Sequence, residues 1–253
     1  MPSTRPADGI NMIVFGPQKH GKSWLGDTAP GPRLVLDAEG GSRFTPSRKR
    51  VWDPSTEPVP EYDGTWDTVI VYVHAYRDVE RAYEWLNSGQ HPFRSTIIDS
   101  ISEVQQRVID DIAGRNQMSQ PEWGTLLRTV SEMIRKFRDL STHPTNPLDA
   151  VVLIAMSNLV DGVNRPYMQG AIKTTMPYYV DICSYLVMAP KDDGTVVRRL
   201  FVDPVAGFET GQRVGGCLGA FIDEPSVSGM VKSVRDYLAN RDVENESKEN
   251  GTT

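Results

Sequence analysis

The stretch INMIVFGPQKHGKS, Ile10 to Ser23, decides how this chain is read. Its first six residues are apolar except Asn11 and partly β-branched, which is strand chemistry. Gly16 to Ser23 then fits G-x-x-x-x-G-K-[ST] without departure. The glycines let the backbone curl so that its N–H groups face inward at phosphate oxygens. A helix starting there adds partial positive charge. The pattern puts Gly16, Pro17, Gln18, Lys19, His20, Gly21, Lys22, Ser23 and Trp24 around the phosphates of a nucleotide. Lys22 is expected on the β- and γ-phosphates and the Ser23 hydroxyl on Mg²⁺. His20 occupies a variable position of the motif.

Outward from this turn, short apolar runs alternate with helical spacing. RLVL (Arg33 to Leu36), TVIVYV (Thr68 to Val73), STII (Ser95 to Ile98) and AVVLIAM (Ala150 to Met156) read as buried strands. Helices are expected over 76–86, 101–113, 122–140 and 226–239. Residues 51–67 and 158–176 read as surface loops. Late strands at 182–188 and 196–202, joined by an Asp-Asp-Gly turn, make the sheet mixed. No internal repeat is present. The expected fold is α/β, a mostly parallel sheet sandwiched by helices with late antiparallel strands.

The chain has 253 residues with 39 % hydrophobic content. That is enough for one sizeable core and excludes a collagen-like, coiled-coil or disordered chain. Residues 10–240 are read as a single domain, 1–9 as a flexible N-terminus and 241–253 as a disordered acidic tail. No apolar run reaches membrane-spanning length and no secretory signal is apparent, so no membrane partner and a cytoplasmic location are expected. The net charge of −6 argues against nonspecific polyanion binding by the whole surface, though one basic face remains compatible with it. Cys183 and Cys217 lack metal-ligand spacing and read as reduced thiols.

A phosphate loop needs an acid to support its metal. Asp99 ends the strand STIID and suits that role, although Asp99-Ser100 is also an ordinary helix cap. Hydrolysis needs a group to activate water. Glu39 follows the second strand, whose end lies at the same sheet edge as the loop; Asp37 competes for the role.

These motifs resemble the RecA-like branch of P-loop ATPases. LVLDAEGG resembles the element that carries the catalytic Glu of RecA-type recombinases. The run from TIIDSISEV through residues 116–140 to AVVLIAMSNL resembles the RecA order of metal-binding strand, first DNA loop, amphipathic helix and fourth core strand. The compact layout is similar to phage RecA-like ATPases, a family of single-strand annealing proteins and recombination mediators, over residues 10–213.

The resemblance implies Mg²⁺-ATP as cofactor, with Lys22, Asp99 and Glu39 catalytic and Ser23 and Asp99 on the metal. Ser157 and Asn158 stand where RecA has its γ-phosphate sensor Gln. Two loops would meet single-stranded DNA, one with Arg115 and Trp123, the other with Arg165, Tyr167 and Lys173. A cation beside an aromatic suits such a strand. On residues alone, Trp123 reads as core, and Tyr178 and Tyr179 as packed against the sheet. A neighbouring copy in a homo-oligomer would supply a basic finger from Lys173, Arg198, Arg199 or Arg213, and a single-strand-binding protein is a further expected partner. The N-terminal filament-forming device of RecA has no counterpart in the ten or so residues before the first strand. The resemblance therefore implies annealing or mediation in phage recombination or repair, in host cytoplasm, rather than strand exchange. A P-loop small-molecule kinase and a non-hydrolysing nucleotide-gated module are the alternatives.

Overall fold

A computed structural model describes residues 8–250, with 242–250 by backbone only. The first strand, β1 (Ile10–Phe15), is buried along its whole length. The loop after it leads into α1 (Lys22–Gly26), which is only five residues long. A chain this short has little macrodipole, so the loop amides, more than the helix, form the phosphate cradle. Then come β2 (Arg33–Asp37), β3 (Lys49–Val51), β4 (Thr68–Tyr72), α2 (Tyr76–Asn87), β5 (Ser95–Asp99), α3 (Ile101–Ala113), α4 (Gln120–Asp139) and β6 (Ala150–Ala155).

The second half holds β7 (Ser157–Val160), β8 (Val163–Pro166), α5 (Ile172–Thr175), β9 (Ile182–Pro190), β10 (Val196–Phe201), β11 (Gly211–Gln212), β12 (Phe221–Asp223) and α6 (Val227–Asn250). The main sheet has the order β12-β10-β9-β1-β6-β5-β2-β4-β3, with β11 also on β9. From β9 to β3 every pairing is parallel; β10, β11 and β12 are antiparallel. This is the expected mixed α/β sheet.

Alternation along the strands builds two cores. Ile13 and Phe15, Leu34 and Leu36, and Val151 and Leu153 face the side covered by α2, α3 and α4. Met12 and Val14, Val35, and Val152 and Ile154 face the side covered by Leu25 of α1 and by Val227, Met230, Val231 and Val234 of α6. Both faces being covered explains why these strands read as continuous apolar runs. At the edge opposite the phosphate loop, buried Asp149 pairs with Arg94 at 2.5 Å and with Arg235 of α6 at 2.6 Å.

Several boundaries differ from expectation. The stretch 158–176 is no plain loop; it contains the β7–β8 hairpin and α5. The last helix continues past Ala239 to Asn250, across most of the segment read as a disordered tail. No Gly or Pro interrupts 230–250, so nothing there stops a helix. At the other end Asp8 is held by Arg235 at 2.9 Å. The rest of the expected flexible N-terminus, residues 1–7, lies outside the described residues, as do 251–253. Tyr178 is 78 % exposed, not packed on the sheet, whereas half-buried Tyr179 does pack on the core. Among the described residues no helix is long and apolar enough to cross a membrane.

Candidate nucleotide site

Parallel strands deliver their C-terminal ends to one edge, and there the loop Gly16–Ser23 opens into a cleft of about 1030 Å³. Gly16 is dictated by contact and Gly21 by its left-handed backbone. Gly16 has φ 154°, and a Cβ there would lie 2.2 Å from the Leu186 carbonyl oxygen. Gly21 has φ 93°, with the Arg198 side chain 2.6 Å from the Cβ position. Lys19 also adopts a left-handed conformation, curling the loop. His20 Nδ1 accepts the Met188 backbone N–H at 3.0 Å and pins the loop to β9.

Lys22 donates to the carbonyls of Gly16 at 3.0 Å and Pro17 at 2.9 Å. Burial lowers its pKa, and Asp99 and Glu39 oppose that shift. The ammonium is thus held inside the loop by backbone oxygens that a phosphate would replace. Lys22→Ala is expected to weaken nucleotide binding about a hundredfold by removing a partly buried charge partner; calorimetric titration with Mg·ATP measures this.

Asp99 is 4 % exposed at the end of β5, beyond β6 from the loop. Burial pushes its carboxyl up to about 6, helped by Glu39 and Asp37 and opposed by the Ser23 hydroxyl bonded to it and by Lys22. A buried carboxylate joined to a hydroxyl is a hard-oxygen donor set suited to Mg²⁺, which keeps water and phosphate oxygens as its other ligands. Ser23 and Asp99 would hold that ion, which neutralises phosphate charge when bound. Among the described residues no group of three or more His, Cys, Asp or Glu could hold a metal ion.

The structure separates Glu39 from Asp37. The Asp37 carboxylate is buried and accepts backbone N–H groups from Glu39 at 3.2 Å, Gly40 at 2.7 Å and Ser42 at 2.9 Å. It builds the turn. Glu39 is exposed and lines the cleft. Ser100 Oγ donates to Glu39 Oε1 and also caps α3 by accepting the Glu103 N–H at 3.2 Å. Sequence reasoning gave Ser100 no role of its own beyond its place in the Asp-Ser pair. Ser157 and Asn158 also line the cleft, since β6 lies between β1 and β5.

The basic candidates separate. Arg198 sits in the cleft of its own chain, 5.3 Å over the Trp24 ring. Arg199, one residue on, faces away and pairs with Asp223 at 2.7 Å. Arg213 donates to the Tyr178 carbonyl at 2.9 Å, 3.8 Å from Asp181. Lys173 is exposed on α5.

The two loops expected to meet DNA touch each other. Trp123, 37 % exposed, packs on Gly170, and Gln120, Leu127 and Gln169 join it around a groove of about 300 Å³. Tyr167 lines the nucleotide cleft, three residues from Gly170. Ser102 donates to the Tyr167 carbonyl at 2.8 Å, and Gln105 bonds both backbone groups of Gln169, at 2.7 and 3.0 Å. Arg115 is exposed. Arg165 is not a free cation, standing 3.8 Å from Glu209. Both cysteines are reduced; burial pushes the Cys183 thiol up to about 12, so it is no nucleophile.

A phosphate loop, a buried acid at the end of β5 and a cleft at the C-terminal sheet edge define a P-loop nucleotide-hydrolase domain. Residues 8–214 match the family model of an AAA domain, and the chain belongs to that AAA-type P-loop ATPase family. No curated protein matches the chain significantly.

Proposed function

We propose that the protein hydrolyses ATP with Mg²⁺ and that single-stranded DNA beside the cleft sets the rate, in an annealing or mediator role in phage recombination or repair. Glu39 orients and activates the attacking water. Lys22 holds the transferred phosphate, and Ser23 and Asp99 support the metal. Ser157 and Asn158, which line the same cleft, sense the γ-phosphate.

One observation carries the DNA coupling. The segment from Tyr167 to Gly170 runs from the nucleotide cleft to the Trp123 groove, and α3 fastens it through Ser102 and Gln105 directly after Asp99 and Ser100. Trp123 gives a face for base stacking; Arg115 and Lys173 give cations for phosphates. Arg165 joins them if the strand displaces Glu209. A homo-oligomer and a single-strand-binding protein belong to the same proposal, since annealing needs many contacts along a strand.

The test is ATP turnover titrated with single-stranded and duplex DNA. Single-stranded DNA should accelerate turnover and duplex DNA should do so far less. DNA affinity should drop about tenfold between ~50 and ~200 mM salt, as a few phosphate contacts require. Turnover indifferent to both DNAs overturns the coupling and leaves a plain ATPase.

A further inference from the structure

We infer that Trp24 and Arg198 of one chain form the nucleobase subsite of the cleft and take a purine base by stacking. The inference rests on the nucleotide reading of the loop and specifies what it left open. The acids lie on one side of β1: Asp99 ends β5, and Ser100 and Glu39 stand beside it, across β6. A triphosphate on the loop turns its reacting end toward them. The nucleoside then leaves toward the other side of β1, where β9 and β10 supply Met188 and Arg198.

That side is built for a flat apolar group. Trp24 is 47 % exposed and Met188 39 % exposed, both on the cleft wall. The Arg198 guanidinium covers the indole at 5.3 Å. Its position is fixed from behind. Arg198 N–H donates to Glu224 Oε1 at 3.1 Å, the Glu224 N–H donates to the Arg198 carbonyl at 2.7 Å, and Nη1 lies 3.5 Å from Glu224 Oε2. A planar cation on an indole is a platform for a third plane, and a purine offers it more area than a pyrimidine. Arg198 thus acts within its own chain and is not the finger offered to a neighbour.

The test compares Mg·ATP with inorganic tripolyphosphate, which keeps the phosphates and lacks the base, by calorimetric titration of the full chain. The wild type should bind ATP more tightly than tripolyphosphate, and CTP between them. Arg198→Ala should weaken ATP about five- to thirtyfold and leave tripolyphosphate unchanged. Arg198→Lys keeps the charge beside Glu224 but loses the plane, so it should behave like the alanine variant. Equal losses for ATP and tripolyphosphate, with rescue by lysine, make Arg198 a phosphate contact and overturn the subsite. Wild-type protein that binds both ligands equally overturns it while the phosphate loop stands. Protein that binds neither removes the loop reading and the subsite with it.

Discussion

Glu39→Gln should bind Mg·ATP with near wild-type affinity yet turn it over about 10²- to 10⁴-fold more slowly, the range of a positioned general base. The side chain is exposed at the cleft and holds up no core, so the variant should fold normally. The amide keeps an oxygen that can accept from Ser100 Oγ, so the geometry survives while the base is lost. Asp37→Asn is the informative contrast. Its carboxylate accepts three backbone N–H groups in the turn, so its loss should appear first as lowered thermal stability. Single-turnover assays beside binding isotherms separate the two. If Glu39→Gln hydrolyses ATP at the wild-type rate, water activation belongs elsewhere in the cleft.

The contrast also shows what could be read in advance. The phosphate loop is contiguous and its geometry is enforced by local backbone, so its residues are legible in order. Asp37 and Glu39 are two residues apart, and strand alternation gives them the same face; only the turn through Gly40, at φ 73°, separates a capping acid from a cleft acid. Arg198 and Arg199 pose the reverse case. Alternation says one must face the cleft, but choosing between them needs the register of β10 on β9. The β7–β8 hairpin carried a signal that polar composition masked: Asp161-Gly162, with φ 50° and 76°, is a two-residue hairpin turn between SNLV and VNRP. The meeting of Trp123 with Gly170 depends on packing between distant segments and has no local signature.

Asp99→Asn should make the nucleotide-free protein more stable at pH 8 while lowering Mg²⁺-dependent turnover about 10²-fold or more. The carboxyl is raised from an ordinary 3.8 to about 6 by burial. Folding therefore favours its protonated form. That contribution is fully present below about 3.8 and is lost as pH rises through about 6. Above 6 the ionised carboxylate costs on the order of 2–3 kcal/mol, since each tenfold change in proton affinity is worth about 1.4 kcal/mol. The asparagine variant carries no such charge, so its advantage in melting temperature should grow between pH 4 and pH 7 and flatten beyond. Ser23 can still donate to the amide oxygen, so no buried hydroxyl is orphaned in the variant. Melting curves of both proteins across that pH range measure the difference. A stability gap independent of pH would mean that Asp99 is not strained by its burial. If Asp99 supports Mg²⁺ as proposed, binding of Mg·ATP should offset this cost, and the melting temperature of the wild type should rise more with Mg·ATP than that of the asparagine variant.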